Sequence, residues 1–551
     1  MMHAKTFCFD PHLIATTTLL ALAIQIGALA EETGKLAVNI VDAGGAPLPC
    51  RAWISHNGKN YFKPQHPHSV TPYERDQSFS CDGEFEIELP VGPAVLYVEK
   101  GKEWLPRSIP VEIRSSASTR VTVPLKPWID MESKGYYSTD LHIHFGNDNP
   151  QVLQQLGKAD DLDVVPAFTY WLRGTEANWE TRWPAHSRAI APQNSPPHIT
   201  LNNIEIERIS SRARPGGSIG ASFLFNLEAP LSTTSYSPHY PTDTDLCLLA
   251  RATSPHVVID TDKPSWAETV VGAILGAYDT VQICHNHYHR KQTLAGGWGM
   301  IGPLNNDERS LAEKDELFHR TNQHYYSFLN CGIRLGVSGG SAIGVMPVPA
   351  GYNRVYASVD GPFTLQKFWQ SIRKGRSFAT SGPMLLLEID SKKPGDHIAY
   401  DSNSEHGLGI QTRIHTRDPL LSLELIHNGN VIRQVPLNNQ VPNPSLQLDF
   451  AFQHNPTRSG WYAARVTYES PADQLRQAHT SPIYITVDNR PTAFKEDARY
   501  LTKWIDTLIE IAKTRNRFPR ENQRAEVLTT YDRARNAYRR VAQIANDVWP
   551  D

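Results

Sequence analysis

The stretch Tyr136-Tyr137-Ser138-Thr139-Asp140-Leu141-His142-Ile143-His144-Phe145 carries the pattern from which the fold and chemistry of this chain can be predicted. Side chains of a β-strand alternate between two faces, so Asp140, His142 and His144 would share one face and the apolar residues between them the other. Two imidazoles and a carboxylate together suit zinc, manganese or iron. The pattern predicts the start of a metal site, although a polar strand face turned to solvent has the same spacing.

The composition is that of a globular protein with several domains. The chain has 551 residues, of which 40% are hydrophobic and 20% charged, enough to bury proper cores. The formal net charge of -3 gives no electrostatic reason to expect nucleic acid or an anionic membrane as a partner.

Residues 1–30 have the pattern of a secretory signal peptide. Lys5 supplies the positive start, residues 13–29 are largely apolar, and Ala28-Leu29-Ala30 forms a cleavage motif before Glu31. The alternative is a membrane anchor, but Gln25, the interior threonines and the Ala-x-Ala motif favour removal. No later segment is apolar enough to span a bilayer. We therefore expect an exported protein, secreted or periplasmic, with no stable membrane insertion after the signal is removed.

Periodicity divides the rest of the chain into four regions. Residues 31–127 contain short alternating runs separated by Gly, Pro and Asp, which predict a small β-sandwich. Residues 128–383 alternate strand and helix patterns, residues 384–490 predict a second β-sandwich, and residues 491–551 predict a helical hairpin. The predicted fold class is a multidomain α/β plus β protein.

Both histidine-rich motifs of the central region follow predicted strands. One is the stretch through His144, and the other follows Thr280–Cys284 and reads His285-Asn286-His287-Tyr288-His289. Alternation of strands and helices predicts parallel strands, arranged as a barrel or an open sheet. In either fold, chemistry collects at the carboxyl ends of the strands, where both motifs lie.

The central region combines several motifs in a fixed order. They are the Asp140-x-His142-x-His144 strand, the glutamate-bearing segment 202–207, a histidine motif near His287, and the runs 351–356 and 375–383. With these motifs, about residues 130–383 resemble the polymerase-and-histidinol-phosphatase (PHP) superfamily, and more closely its branch of CehA/McbA metallohydrolases. The resemblance implies a distorted β/α barrel with one to three divalent metals that hydrolyses phosphoesters or, in the carbaryl-type branch, a carbamate ester.

The resemblance also implies a ligand set for a divalent ion, whether Zn, Mn or Fe. The implied ligands are a first histidine pair, a glutamate that commonly bridges metals, and a later histidine: His142, His144, Glu205, His287 and, close behind, His285. Glu207 is the alternate for the glutamate. His289 is a further alternate for the later histidine, because histidines at alternate positions could all face one way.

The chain departs from the family pattern in three places. Where many relatives carry Thr-Asp-His, it has Thr169-Tyr170-Trp171, and the usual Ser-Asp-x-His is replaced within residues 339–344 by glycines, serine and alanine. A Gly-His pair is replaced by Gly220-Ala221. We therefore expect a single ion held by two or three histidines and a carboxylate, instead of a three-metal cluster.

Four further residues are candidates for catalysis. Asp140 would orient a ligand imidazole or act as the base. Asp260 follows a hydrophobic strand and could be a ligand or a general base, and Lys263 could hold an anionic group, although a helix cap and a surface lysine are equally good readings. Arg354 could clamp a substrate carboxylate or phosphate, although a structural ion pair is commoner.

Two functions fit these patterns. The first is an exported metal-dependent hydrolase that cleaves an ester, carbamate or phosphoester in a small-molecule or carbohydrate substrate. The second is a catalytically degenerate barrel that serves as a secreted carbohydrate- or polymer-binding protein, which the missing ligands and the two flanking β domains favour. The retained Asp140-x-His142-x-His144 favours the hydrolase, because a binding protein has little need for it.

Overall fold

The computed structural model describes residues 32–65, 69–115, 118–146, 149–175, 178–179, 196–208, 219–228, 231, 239–294, 314–440, 442–514 and 518–549. The signal peptide predicted over residues 1–30 lies outside the described residues. None of the described helices is long and apolar enough to cross a membrane.

The first region folds as two sheets around a core of its own. Its strands are β1 (Thr33–Val41), β2 (Cys50–His56), β3 (Lys59–Tyr61), β4 (Val70–Tyr73), β5 (Ser78–Cys81), β6 (Glu84–Pro90), β7 (Gly92–Glu99), β8 (Arg107–Ile113) and β9 (Ser118–Pro124). One sheet has the order β6-β1-β9, and the other has the order β4-β5-β2-β7-β8 with β3 beside β2. Alternate residues of β1, including Leu36, Val38 and Ile40, are buried in the shared core because the strand period is two.

Cys50 and Cys81 lie directly opposite each other on the antiparallel strands β2 and β5 of this region. Both are buried, and their Sγ atoms are 3.7 Å apart as free thiols. The sequence left open whether these two cysteines pair. The strand register places their sulfur atoms so close that a small movement of the two side chains would allow a disulfide.

The central region contains twelve strands and five helices among the described residues. Its strands are β10 (Tyr136–Thr139), β11 (Val164–Pro166), β12 (Tyr170–Thr175), β13 (Asn178–Trp179), β14 (His198–Thr200), β15 (Ile204–Arg208), β16 (Gly220–Phe225), β17 (Val258–Thr261), β18 (Thr280–Cys284), β19 (Gly336–Gly339), β20 (Arg354–Ser358) and β21 (Ser377–Thr380). Its helices are α1 (Pro150–Asp160), α2 (Asp243–Thr253), α3 (Thr269–Ile274), α4 (Glu316–Asn330) and α5 (Leu365–Arg373), preceded by a short 3-10 turn, Glu132–Lys134.

Local sequence accounts for where these helices begin. The Asn149 side chain accepts hydrogen bonds from the backbone N–H groups of Gln151 and Val152 at the start of α1. Thr364 caps α5 in the same way, by accepting from the backbone N–H of Lys367. Such caps satisfy backbone donors that have no partner within the helix.

The prediction of parallel strands is only partly right. Strands β10, β11 and β14 run parallel, as do β17, β18 and β19, but β16 runs antiparallel to both β15 and β17. Strand β20 is likewise antiparallel to β10 and β21. Only residues 209–219 separate β15 from β16, and a parallel pair needs a crossover of about a dozen residues or more. Eleven residues are fewer than such a crossover needs, which favours the antiparallel pairing of β15 with β16.

The predicted C-terminal β region shares a sheet with the central region. Its strands are β22 (Met384–Ile389), β23 (His397–Tyr400), β24 (Leu408–Thr416), β25 (Ser422–His427), β26 (Asn430–Pro436), β27 (Leu446–His454), β28 (Gly460–Glu469), β29 (Leu475–Thr480) and β30 (Ile483–Val487). Strand β29 pairs with β21, so an 11-stranded sheet runs from β14 to β26 across both regions. Strands β22, β24 and β27 form a separate three-stranded sheet that covers it.

Two long helices end the chain, α6 (Lys495–Thr514) and α7 (Glu521–Val548). Leu501, Trp504, Ile505 and Leu508 recur at helical spacing and are buried in the same core as α3 and α4. The Trp504 indole N–H also donates to the carbonyl of Ala267, just before α3, at 3.1 Å. The predicted multidomain mixture of α and β structure with a C-terminal helical pair is thus confirmed.

Candidate metal centre

Three predicted ligands converge between the two large sheets. His142 and His144 lie in the loop after β10, which belongs to the 11-stranded sheet, and Glu205 lies on β15 of the 7-stranded sheet. One ligand atom from each lies within 4.8 Å of the other two, and all three residues are buried. Among the described residues, this is the group whose spacing could hold a metal ion.

The distances within this group fit a small divalent cation. His142 Nε2 is 3.7 Å from Glu205 Oε1, and His144 Nε2 is 3.1 Å from Glu205 Oε2. Ligand atoms about 2.0–2.2 Å from a tetrahedral zinc ion lie about 3.3–3.6 Å from one another. The two observed distances bracket that range. The residues present therefore fit the ion that the sequence implied, with two imidazoles and one carboxylate as ligands.

The strand that was predicted to carry the histidines ends before them. β10 stops at Thr139, and Ile143 then forms isolated bridges to Ala167 and Ile343. Leu141 and Ile143 are completely buried, as the alternation predicted, but His142 is buried as well. Both sides of the segment are therefore enclosed, which rules out the reading of a polar face turned to solvent.

Asp262, which the sequence analysis did not single out, lies behind His142. Its Oδ1 is 3.5 Å from His142 Nδ1, on the opposite edge of the ring from the nitrogen that faces Glu205. Its Oδ2 accepts hydrogen bonds from the Lys263 ammonium and from the Trp266 indole N–H. A carboxylate in this place orients a ligand imidazole and fixes its tautomer. The signal that could have revealed it is the pair of charged residues Asp262-Lys263 directly after the buried strand Val258–Thr261.

The electrostatics keep this pair in the states that metal binding requires. Burial lowers the pKa of His142, so the imidazole is neutral near pH 7 and can donate a lone pair, although Asp262 opposes the shift. Burial alone would raise the pKa of Asp262, but the Lys263 ammonium and His142 hold it well below its usual range. Lys263 therefore acts inside the site, since its side chain is 2% exposed, and the reading of a surface lysine is wrong.

The surroundings of the two histidines are aromatic and tightly packed. The His142 ring lies 4.5 Å from the Phe223 ring, and the His144 ring lies 5.2 Å from the Phe168 ring, measured between centroids. On another side, a Cβ atom at Gly340 would lie 2.5 Å from His142 Cβ, so only glycine lets the backbone pass there. This packing restricts the histidine rotamers and excludes most water from the ligand pair.

Asp140 has a different role from the one predicted. Its Oδ1 accepts the backbone N–H groups of His142 and Ser341, both at 2.9 Å, and its Oδ2 accepts that of Gly351 at 2.7 Å. Burial raises its pKa to about 6 against the effect of these hydrogen bonds. The carboxylate therefore ties three backbone segments together and touches no imidazole ring atom among the described contacts.

The second histidine motif lies outside the ligand group in the part of the chain that is described. His285 uses both ring nitrogens, with Nε2 3.3 Å from the Thr321 hydroxyl and Nδ1 accepting the backbone N–H of His287. His287 is buried, and its Nδ1 has no hydrogen-bond partner among the described residues. Burial, and then the charge of Lys263, hold the pKa of both well below the ordinary value. Of the two, His287 has the ring nitrogen that remains available.

Asp260 lies on β17, is fully buried, and is not a member of the ligand group. Its Oδ1 accepts from the hydroxyls of Thr280 and Ser338 at 2.7 and 2.6 Å, and its Oδ2 accepts from the Gln282 amide at 2.9 Å. Burial raises its pKa to about 7, although these donors oppose the shift. The predicted reading of a helix cap is wrong, because Asp260 is a buried strand residue.

The raised pKa of Asp260 gives a pH-dependent stability. Some carboxyl groups have a higher pKa in the folded than in the unfolded protein. Such a group makes its full contribution to stability when the pH is below its pKa in the unfolded chain, which is about 3.9. That contribution is lost as pH rises through about 7. We expect Asp260→Asn to gain stability relative to the parent, by a few kcal/mol, as pH rises from about 4 to 7, and to hold that gain above pH 7. Urea unfolding of both proteins across this pH range measures the difference, and a constant difference would contradict the assignment.

Arg354 has a structural role, with backbone carbonyls as its partners in place of the ion pair that the sequence analysis named as the commoner outcome. Its Nε donates to the carbonyl of Gly351 at 2.6 Å, Nη1 to that of Asp161 at 2.9 Å, and Nη2 to that of Asp160 at 2.8 Å. It is 1% exposed. The side chain therefore fixes the end of α1 to the loop before β20, and three of its five N–H groups are committed to backbone carbonyls.

Comparisons with known proteins add little to this geometry. No protein-family model matches the chain, and no curated protein matches it either. Among solved structures, it is similar to GBS52, the minor pilin of Streptococcus agalactiae, with 20% sequence identity and a TM-score of 0.15. That match covers 18% of this chain and 46% of the pilin chain, so the alignment spans less than half of the pilin.

Proposed function

We propose that this protein is an exported metal-dependent hydrolase of the PHP-like, CehA/McbA type. The observation that carries the proposal is the convergence of His142, His144 and Glu205 in a buried group whose spacing suits one divalent ion. All three are among the ligands that the family resemblance implied. The proposed bond is an ester, a carbamate or a phosphoester.

In this proposal each residue has one task. His142, His144 and Glu205 hold the ion, and Asp262 orients His142 through Nδ1. A bound divalent ion would polarise a carbonyl or phosphoryl oxygen and lower the pKa of water. Lys263, placed beside Asp262 and subject to the charges of Glu205 and Glu207, would attract the anionic side of the substrate. His287, the later histidine that the resemblance implied, lies outside this group and has no part in holding the ion in this proposal.

We also propose that the central strands close into the distorted β/α barrel of that family. Two features support closure. The chain passes directly from β11 in one large sheet to β12 in the other, and Ile143 bridges residues that follow β11 and β19. The ligand group would then lie at one end of the barrel, where loops after several strands meet.

Metal content and turnover test the proposal together. Elemental analysis of the mature protein, purified without chelator, is expected to find about one transition-metal ion per chain, and His142→Ala is expected to lose it. His406→Ala is the matched control, because His406 is exposed and its hydrogen bonds to other described residues use its backbone atoms. The metal-loaded protein should then hydrolyse at least one class in a panel of aryl esters, carbamates and phosphoesters.

Two outcomes would contradict the hydrolase. One is a protein without metal whose stability is unchanged by His142→Ala. The other is a metal-loaded protein that binds carbohydrates but hydrolyses no member of the panel, which would favour the alternative of a secreted carbohydrate- or polymer-binding protein.

A further inference from the structure

A tyrosine of the N-terminal region reaches into the central region beside the proposed metal centre. Tyr73 ends strand β4 and is 6% exposed. Its ring is buried in the same apolar cluster as Ile143 and Ile343 of the central region, and its centroid lies 5.2 Å from that of the Phe145 ring. The residues on both sides of the proposed ligand His144 therefore belong to the packing around this tyrosine.

The hydroxyl of Tyr73 closes a turn of the central region, residues 342–346. It accepts a hydrogen bond from the backbone N–H of Gly344 at 2.8 Å and donates one to the carbonyl of Met346. Burial raises the pKa of Tyr73, so the hydroxyl keeps its proton at neutral pH and can donate. Within the turn, the backbone N–H of Met346 donates to the carbonyl of Ala342 at 2.9 Å. One side-chain hydroxyl thus satisfies two backbone groups of the turn.

The backbone of this turn depends on support from its surroundings. Ala342 has a φ of 55° and Gly344 has a φ of 102°, both in the left-handed region. A residue other than glycine is strained in that region, and it stays there only where other contacts hold it. The two hydrogen bonds of the Tyr73 hydroxyl are contacts of this kind, because they join both ends of the segment that follows Ala342. We therefore expect the turn to relax when the hydroxyl is removed.

The turn lies directly against His144. The backbone N–H of His144 donates to the carbonyl of Ile343 at 2.9 Å. A Cβ atom at Gly344 would lie 3.0 Å from His144 Cβ and 2.9 Å from the backbone nitrogen of Phe145, so the two segments leave no room between them. A shift of the turn would therefore move His144, whose Nε2 lies 3.1 Å from Glu205 Oε2.

We propose that Tyr73 is a positioning residue for the metal ligand His144, so that the metal centre is complete only when the N-terminal region is docked on the central region. The inference rests on the proposed function, because it concerns a ligand of that site. Tyr73 acts on His144 through the turn and through the Phe145 ring. Ligands must be held within about 0.5 Å of their productive geometry, and support for the adjoining backbone provides this precision.

Tyr73→Phe tests the inference in the full mature chain, with Gln155→Met as the matched control. Phenylalanine keeps the ring and removes only the hydroxyl. Gln155 of α1 accepts a hydrogen bond from the Thr71 hydroxyl and donates one to the carbonyl of Ser69 at 2.7 Å. Its replacement therefore breaks other hydrogen bonds between the β4 segment and the central region and leaves the turn intact. Thermal unfolding shows that each variant is folded.

Two readouts separate positioning from a general loss of stability. In the chelator-treated protein, we expect the His144 signals in an NMR spectrum of isotope-labelled histidines to shift in Tyr73→Phe and to stay in place in Gln155→Met. These signals are identified by their absence in His144→Asn. With Co²⁺ as the probe, Tyr73→Phe should weaken binding about tenfold and alter the visible absorption bands that report ligand geometry. Gln155→Met should weaken Co²⁺ binding less than twofold.

Either of two results would overturn the inference. The first is that the His144 signals, the Co²⁺ affinity and the absorption bands are all unchanged in Tyr73→Phe. The second is an equal change in Gln155→Met, which would mean that docking of the whole region matters and that this hydroxyl has no special part. A parent protein that binds no metal would instead contradict the hydrolase. The His144 signals of the metal-free protein would still decide whether Tyr73 positions this residue.

Discussion

Asp140→Ala is expected to lower the free energy of unfolding by about 3–5 kcal/mol, one of the largest effects of any single substitution in this chain. The carboxylate accepts three backbone N–H groups, those of His142, Ser341 and Gly351, and it is fully buried. Alanine leaves all three donors without a partner in a place that water does not reach. Each such donor costs about 1–3 kcal/mol, and partial relaxation offsets some of the sum.

Urea denaturation at pH 7 measures this loss, and two variants control it. Asp140→Asn keeps one acceptor oxygen of the two and should lose less than half as much. Asp360→Ala removes an exposed carboxylate that pairs with Arg376 at 2.9 Å and is 69% exposed, so it should cost no more than about 1 kcal/mol. If Asp140→Ala cost as little as Asp360→Ala while metal binding disappeared, Asp140 would act on the metal site itself, by orienting a ligand imidazole as the sequence first suggested.

Glu205→Gln is expected to reduce the affinity for a divalent ion at least a hundredfold, whereas Glu207→Gln is expected to reduce it less than tenfold. Losing a group that only orients a ligand typically costs about 10–100-fold, and losing a ligand costs more. Both glutamates lie on β15, two residues apart and therefore on the same face. Only Glu205 places its carboxylate among the imidazoles of His142 and His144. An amide oxygen binds a divalent cation much more weakly than a carboxylate oxygen does.

Competition against a chromophoric chelator measures the two affinities side by side. Both substitutions keep the size of the side chain, so circular dichroism of the metal-free proteins should be unchanged and any difference reflects the ligand. Equal losses for the two variants would mean that both carboxylates bind, in a larger cluster than we propose. If only Glu207→Gln lost affinity for the ion, the glutamate ligand would be Glu207, the alternate named in the sequence analysis.

The sequence predicted best those features that depend on neighbours along the chain. The strand Thr280–Cys284 has the limits that its apolar run indicated, and the stripe that includes Leu501 and Trp504 is buried as helical spacing predicted. The pair of histidines and the glutamate that the resemblance selected are the residues that meet in the structure. In each case the information lies in short spacing or in a motif, which a sequence displays directly.

The tertiary structure alone decided which polar groups meet across the fold. Asp140 turned out to hold backbone donors from residues 341 and 351, while Asp262 took the place beside His142 that had been assigned to Asp140. Arg354 was bound to the carbonyls that end α1. These outcomes depend on strand direction and on which strands are neighbours, and a reversal such as that of β16 changes every facing pair. The sequence by itself therefore indicated the candidate ligands, and the packing of separate segments determined which polar groups lie beside them.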